Sequence, residues 1–402
     1  MLFLFNMLDA RLSLEHKLPP FTASYLEHRV TKEPDHGNPT LLCIRQVAER
    51  LAPDAQATRR YIVSLSALAA SRVSHVFSPY QPPWDPVSQS KFDEHVEAAA
   101  VYMNHDLDVD SWGPPKTCST LFGACLDLAA QFGSEEMVER YLRDSHIGGR
   151  CSALPHAASR GRAAMVDFIF NFQIETSPWR FDRYTRSPNE FQALAKALIT
   201  PDPETWDYIM ETHRQYGLHV PASKQTSILL TSAQNGWTNM VRHLLQHGTD
   251  PNSFGQTDDE TPLFFAAQQG HTDVVQSLLD GGARIQNNCI RVAASKGHVK
   301  IVQLLVARKS DITGAVVAAA RGGYGDVVKI LLKIGANANE EDGELPAIGY
   351  AIIAEHISMF RDLVQYSAHA PSPAIRETIV SRATKNGVES MLVLLDTWDS
   401  QL

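Results

Sequence analysis

The chain has 402 residues, of which 44% are hydrophobic and 20% charged, with a formal net charge of -9 at pH 7. These proportions are typical of a soluble folded protein and exclude a disordered or fibrous one. The acidic balance argues against broad nucleic-acid binding, because contacts to phosphates need a basic surface.

The first predicted element is a short apolar stretch from Met1 to Leu8. It has no basic flank, and Asp9 and Arg11 interrupt it, so it matches a signal peptide poorly. It is also much shorter than the ~20 apolar residues of a membrane-spanning helix. We therefore predict the start of a capping helix and no contact with a membrane.

Two longer helices are predicted within the N-terminal region, 1–77. Apolar residues at helical spacing run over 41–51, and Pro53 ends this helix. Asp54 is the expected N-cap of a second helix over 55–73. We predict that this pair caps a following array of helices. The alternative is a separate domain that docks a partner.

A recurring pattern of paired helices follows the proline-rich linker, 78–91, and extends over 92–400. In its clearest copy, a Thr-Pro step begins a first helix, two small alanines lie near the middle, and Gly270 ends it. A second helix then presents an apolar stripe over 274–279. The pattern therefore predicts a helix-turn-helix unit.

Nine copies are recognised by the residue that ends the first helix, which we call the glycine place. The nine places are 133, 161, 201, 236, 270, 297, 323, 355 and 387. Glycine holds all of them except Pro201 and Glu355. The spacing runs from 26 residues, between 297 and 323, to 40 residues, between 161 and 201. A weaker tenth copy lies around 99–109, and such periodicity indicates a repeat architecture.

The clearest copy, Thr261 to Ala283, resembles the ankyrin-repeat consensus T-P-L-H-x-A-A-x-x-G-H-x-x-V-V-x-x-L-L-x-x-G-A, with Phe264 replacing the histidine. The resemblance covers about residues 95–400. It implies an all-α solenoid of about nine or ten stacked helix-turn-helix units with short or missing β-hairpins, behind a helical N-terminal cap. The copies at 297 and 323 leave little room for a hairpin.

The resemblance also implies a protein partner, bound on a concave face through hairpin tips and the variable residues before each glycine place. We therefore predict a non-enzymatic scaffold or adaptor for another protein, located inside the cell in the cytoplasm or nucleus. Phe254, in the fullest hairpin at 252–258, is the expected anchor. The predicted contacts at variable positions are Phe132, Arg160, Asn235, Gln268, Gln269, Lys296 and Arg321.

An insertion at about 172–190 lengthens the step before Pro201. It interleaves aromatic residues with arginines, and Trp179 and Arg183 are candidate partner contacts. Such residues occur at protein-binding hot spots and on single-stranded nucleic-acid platforms. A long loop that packs back on neighbouring repeats explains them equally well. The acidity of the chain disfavours nucleic acid.

Signals for chemistry are weak throughout the chain. His243 and His247 have the i, i+4 spacing of metal ligands, but neither a third ligand nor a general-base glutamate accompanies them. His156 lies near Ser152 and Cys151 without the motif of an activated nucleophile. No phosphate-binding glycine loop is present in the sequence. We predict no catalytic residue, metal or cofactor.

The five cysteines are scattered, odd in number and without Cys-x-x-Cys spacing. This distribution argues against a disulfide framework or a zinc site and favours a reducing compartment. One alternative function is an enzyme or a small-ligand-binding protein, with a pocket between the N-terminal helical region and the first repeats. A structure without an enclosed cavity there would remove this alternative.

Overall fold

A computed structural model describes the chain at residues 27–31, 39–72, 89–103, 118–119, 123–144, 147–176, 188–217, 220–255, 260–366, 368–369 and 371–399. The chain divides into two compact units, an N-terminal unit, Met1–Tyr216, and a C-terminal unit, Gly217–Leu402. Most described residues of both units are helical, as the sequence predicts.

The described residues of the N-terminal unit form paired helices and a short antiparallel ribbon, in which β1 (Cys118–Ser119) pairs with β2 (Gly123–Ala124). A short helical segment at 27–31 precedes the named helices. These helices are α1 Pro39–Leu51, α2 Ala55–Arg72, α3 Gln89–Tyr102, α4 Cys125–Phe132, α5 Glu135–Asp144, α6 Ile147–Ala158, α7 Ala163–Thr176, α8 Pro188–Ala197 and α9 Pro203–Gln215.

The predicted N-terminal helix pair is present as α1 and α2. The side chain of Asp54 accepts a hydrogen bond from the Ala57 amide at 2.7 Å, so the expected N-cap is confirmed. Helix α1 packs on α2 and α3, and α3 packs on α4. Of the predicted linker, 78–91, only 89–91 are described, and they form the first turn of α3. A capping role for 1–77 stays a prediction.

The C-terminal unit continues the alternation of first and second helices. Its helices are α10 Ala222–Asn235, α11 Thr238–Gln246, α12 Pro262–Gln269, α13 Thr272–Asp280, α14 Asn287–Ser295, α15 Val299–Ala307, α16 Ala315–Gly322, α17 Gly325–Lys333, α18 Ala347–Ile353, α19 Ile357–Gln365, α20 Pro373–Lys385 and α21 Glu389–Asp399.

Within each unit the helices stack in two rows. The first helices contact one another in the series α4, α6, α8 and in the series α10, α12, α14, α16, α18, α20. The second helices do the same in the series α5, α7, α9 and α11, α13, α15, α17, α19. The stripe residues Val274, Val275 and Leu278 are completely buried. Each repeat thus buries its apolar side on its neighbours, which confirms the predicted all-α solenoid.

The turn after each first helix explains the preference for glycine. Gly270 has a φ of +84°, and the following His271 amide donates to the Ala266 carbonyl at 3.0 Å. This left-handed ending is the usual way to satisfy the last carbonyls of a helix. Glu355 adopts the same conformation with a φ of +57°, whereas Gly133 departs from it with a φ of -84°.

The loops before α14 and α16 are short, as predicted for the copies at 297 and 323. Residues 281–286 and 308–314 contain no strand. Sequence reasoning missed a hairpin at 334–346, where Glu341 and Pro346 form an antiparallel bridge. This hairpin precedes α18 and rises beside two repeats that have none.

The other irregular segments are only partly described. In the hairpin predicted at 252–258, the Gly255 amide donates to the Glu260 carbonyl at 3.0 Å, and 256–259 lie outside the described residues. The insertion at 172–190 contributes the end of α7 and the start of α8. Its candidate contacts, Trp179 and Arg183, lie outside the described residues.

No helix in the described parts of the chain combines the length and the apolar character needed to cross a membrane.

Candidate functional site

The candidate site is a groove in the C-terminal unit, with a volume of about 400 Å³. First helices α12, α14 and α16 form its floor, and the hairpin at 334–346 forms one wall. Its apolar lining residues are Phe264, Val292, Val317 and Ala318. Its charged lining residues are Arg291, Arg321, Glu341 and Asp342.

The groove exists because successive connections differ in length. The short loops 281–286 and 308–314 leave the α14 and α16 faces uncovered, whereas the longer connection at 334–346 extends beside them. Small residues, including Gly314 and Ala318, keep the floor low. The site is therefore a property of three adjacent repeats together.

One carboxylate, that of Asp342, holds the hairpin wall in place. It accepts hydrogen bonds from the Glu344 amide at 3.1 Å, the Leu345 amide at 3.2 Å and the Tyr350 hydroxyl at 2.9 Å. It also forms an ion pair with Arg321 at 3.3 Å. Partial burial alone would raise the pKa of Asp342, but these donors hold it below its usual value.

Tyr350 is the counterpart of Asp342 in this network. Burial, together with the hydrogen bond to Asp342, raises the pKa of Tyr350 to about 12. The hydroxyl therefore remains a neutral donor at physiological pH, and the hairpin stays tied to α18.

Glu340 ties the same hairpin to the groove floor. One of its carboxylate oxygens accepts from the Val316 amide at 3.0 Å, in the first turn of α16. Its backbone carbonyl accepts from the Ala347 amide at 3.0 Å, at the start of α18. A carboxylate at a helix N-terminus satisfies a free amide and interacts favourably with the helix dipole. Glu340 thus joins the hairpin both to the floor helix α16 and to the start of α18.

Arg291 is an exposed cation on the floor. Its charge acts on Asp311, whose carboxylate accepts from the Thr313 hydroxyl at 2.7 Å, the Thr313 amide at 3.0 Å and the Asn287 side chain at 2.9 Å. The Thr313 bonds and then the charge of Arg291 and the Asn287 bond lower the pKa of Asp311. This carboxylate is therefore already well supplied with donors.

Of the contact residues predicted in the C-terminal unit, Arg321 lines the groove. Lys296 is exposed at the end of α14, and Gln269 is exposed at the end of α12, where Gln268 is half-buried. The exposed Asn235 uses its amide to donate to a carbonyl of its own helix at 2.8 Å. These side chains stay predicted contacts, since their roles are untested.

Phe254 lies in the described part of the hairpin at 252–258 and has 55% of its surface exposed. It remains a predicted anchor, and it is not among the residues that line the groove.

In the N-terminal unit, two predicted contacts lie together. The guanidinium carbon of Arg160 lies 4.5 Å from the Phe132 ring centroid, a cation–π arrangement. Tyr102 also packs against Phe132 in an edge-to-face arrangement, with the two ring centroids 4.9 Å apart. Because each side chain already has an intramolecular partner, both are more constrained than the sequence suggests.

The histidines considered for chemistry have hydrogen-bond partners of their own. Nδ1 of His156 accepts from the Gln131 amide at 2.5 Å, and Nε2 faces Asp127 at 3.3 Å. His247 Nδ1 donates to the His243 carbonyl at 2.9 Å. The side chains of Ser152 and Cys151 lie outside the described residues. These local contacts explain how the imidazole rings of His156 and His247 are oriented.

Sequence reasoning missed most of the groove. Phe264, Arg291 and Val317 lie toward the N-terminal side of the variable positions on which the prediction relied. The acidic run at 340–344 was the one available signal for the wall. Its significance depends on side chains from other repeats, which a single motif does not show.

A comparison with protein families identifies the architecture. The family model for ankyrin repeats (3 copies) matches residues 189–289 and 290–374. Residues 189–374 are therefore ankyrin repeats. The matched ankyrin repeats include α12, α14, α16 and the hairpin wall, so the whole groove lies within them.

Curated relatives match parts of this chain. An ankyrin repeat and KH domain-containing protein of Caenorhabditis briggsae is 30% identical over 135 residues, which are 32% of this chain and 5% of that protein. Alpha-latrocrustotoxin-Lt1a of Latrodectus tredecimguttatus is 31% identical over 231 residues, 52% of this chain and 16% of the toxin. The chain thus spans a small fraction of the length of these relatives.

A solved structure of the human ASB11 ankyrin repeat domain covers 47% of this chain and 96% of that domain, with 20% identity and a TM-score of 0.39.

Proposed function

We propose that this protein is a non-enzymatic adaptor that binds a segment of a partner protein in the groove of its C-terminal unit. Ankyrin repeats are in general protein-protein interaction modules, and stacked repeats create extended binding surfaces. The observation that carries the proposal is the open groove itself. Its lining combines apolar residues with charged ones, the combination from which protein-binding sites are built.

The polar groups of the groove support recognition rather than catalysis. Asp342 and Tyr350 stabilise a wall, and their shifted pKa values favour the charged carboxylate and the neutral hydroxyl, respectively. Neither state suits a proton-transfer group, whose pKa works best near the operating pH. The alternative, an enzyme or ligand-binding protein with a pocket between the N-terminal helical region and the first repeats, stays a prediction, because residues 73–88 and 104–117 of this part of the chain lie outside the described residues.

An intracellular location, in the cytoplasm or nucleus, is part of the proposal. Among the described residues, Cys43, Cys125 and Cys289 are buried and form no disulfide. Burial raises the pKa of Cys43 to about 12, which makes its thiol unreactive. Buried thiols that form no disulfide suit a reducing compartment.

Filling the groove tests the proposal. Ala318→Trp places a large ring on the floor, and Ala307→Trp is the matched control on second helix α15, away from the groove. The full-length protein and both variants, with equal thermal stability verified, are used to capture partners from the source cells for quantitative mass spectrometry. We expect at least one partner to fall tenfold or more with Ala318→Trp and to be retained with Ala307→Trp. Identical partner sets for all three proteins would overturn the proposal.

A further inference from the structure

Two guanidinium groups from adjacent repeats line one groove. Arg291 belongs to α14 and Arg321 to α16, and these helices pack directly against each other. The Arg321 side chain remains 59% exposed despite its ion pair. A guanidinium carries five N–H donors in a planar fork that matches a carboxylate.

The two carboxylates that interact with these arginines, Asp342 and Asp311, are already engaged by neutral donors. Asp342 accepts from two backbone amides and the Tyr350 hydroxyl besides Arg321. Asp311, on which the charge of Arg291 acts, accepts hydrogen bonds from Thr313 and Asn287. Among the described residues, Arg291 has no hydrogen bond of its own and Arg321 has one, to Asp342. The guanidinium of Arg291, and the donors of Arg321 that do not contact Asp342, are therefore left for a ligand.

The remaining charges near the groove favour one side of it for an acidic ligand. Lys296 adds an exposed cation at the end of α14. Glu341 lies exposed on the wall and disfavours an acidic group on that side. An acidic ligand is thus attracted toward the floor and away from the outer part of the hairpin.

The apolar part of the floor lies beside the arginines. Phe264 and Val292 are half-buried, so each keeps apolar surface on which a ligand side chain can pack, whereas Val317 is almost completely buried. In an extended peptide, side chains two positions apart point to the same face. A ligand that uses both the apolar floor and the arginines therefore needs an apolar and an acidic side chain at that spacing.

We propose that the groove binds an extended, acidic segment of the partner, whose carboxylate is held by Arg291 and Arg321 while an apolar side chain two positions away packs on Phe264 and Val292. This inference rests on the proposed function and specifies the chemistry of the partner. A carboxylate between two guanidiniums forms charge-assisted hydrogen bonds, which are stronger than neutral ones.

A peptide-display selection tests this chemistry directly, because it does not require the partner to be identified. The full-length protein is presented with a library of random twelve-residue peptides, and bound sequences are counted. We expect enrichment of Asp or Glu two positions from an apolar residue. The double variant Arg291→Glu, Arg321→Glu should reduce recovery of these peptides at least tenfold, whereas Arg361→Glu, an exposed arginine on second helix α19, should leave recovery unchanged.

The negative results of this selection distinguish an error in the acidic assignment from an error in the proposed function. Enrichment of basic or neutral peptides that Ala318→Trp abolishes would overturn the acidic assignment and leave the groove as a binding site. Acidic peptides that bind the double variant as well as the native protein would also overturn it. Selected peptides that are insensitive to both the double variant and Ala318→Trp would overturn the acidic assignment and the proposed function together.

Discussion

At the residue scale, four equivalent turns after second helices share one conformation. Gly248, Gly282 and Gly335 have φ values of +81°, +90° and +92°, and Lys309 has a φ of +58° at the same place. In each turn the next amide donates back to the helix, as the Ser310 amide does to the Leu305 carbonyl at 3.2 Å. A side chain in this conformation costs ~1–2 kcal/mol, so Lys309 is a strained exception.

Lys309→Gly is predicted to raise the free energy of unfolding by about 1 kcal/mol, because it removes the backbone strain. Glycine also increases the conformational entropy of the unfolded chain, which offsets part of this stabilisation. Urea denaturation of the full chain measures the change. Gly282→Lys is the reverse control and should lower stability by a similar amount. Equal stability of Lys309→Gly and the native protein would show that the turn is unstrained.

His213 gives the N-terminal unit a dependence on pH. Burial lowers its pKa, and the bond between Nδ1 and the Ile209 carbonyl, at 2.8 Å, only partly opposes this effect. Since the unfolded chain then binds the proton more readily, the stabilisation is complete above pH ~6.5 and is lost as the pH falls toward the folded pKa. Hydrogen exchange in α9 should therefore accelerate between pH 7.5 and 5.5, after correction for intrinsic rates.

The His213→Gln variant keeps a donor at this position but has no proton to gain. Its exchange protection in α9 should change less over the same pH range. A pH dependence equal to that of the native protein would assign the effect to another group.

At the scale of elements, the turns after first helices also provide contacts between repeats. His298 Nε2 donates to the Gln268 carbonyl at 3.1 Å, and its ring lies against Gly270. In the N-terminal unit Arg162 has the equivalent place and donates to the carbonyls of Ala130 at 2.9 Å and Gly133 at 2.7 Å. The contact between adjacent repeats is thus made by an imidazole in one unit and by a guanidinium in the other. Burial at this contact lowers the pKa of Arg162.

Two glycines with similar conformations separate backbone strain from lack of space. A Cβ at Gly270 would meet the His298 ring at 2.6 Å, whereas at Gly282 nothing lies within 4 Å. We predict that Gly270→Ala destabilises the protein by about 1–3 kcal/mol more than Gly282→Ala, the usual cost of overpacking. Urea denaturation of both variants makes the comparison, and equal losses would contradict the close packing of the ring.

The elements show clearly what the sequence can and cannot predict. The Thr261 cap, the glycine turns and the stripe of α13 follow from local rules, and Thr261 does accept from the Phe264 amide at 3.3 Å. The groove does not follow from such rules, because Arg291 and Asp342 come from repeats that are separate in sequence. The hairpin wall could not be predicted from its own sequence either, because Arg321 and Tyr350, which lie outside the hairpin, help to hold it in place.

At the scale of the whole molecule, stacking makes stability local. Leu278 is completely buried between neighbouring repeats. Leu278→Ala is predicted to cost ~2–5 kcal/mol and to accelerate hydrogen exchange most in α12 to α15, because each repeat contacts only its neighbours. Unchanged protection is expected in α4 to α7. Uniform acceleration along the chain would contradict the repeat-by-repeat description.

The central claim is that a partner segment occupies the groove of the C-terminal unit. The most direct test places a photo-reactive diazirine amino acid at Ser295, which lines the groove, or at Gln303, which is exposed on second helix α15. We predict that illumination of the full-length protein in its source cells gives a covalent partner adduct from position 295, lost with Ala318→Trp, and little from position 303. Equal adducts from both positions, or an adduct at 295 that Ala318→Trp does not reduce, would contradict the claim.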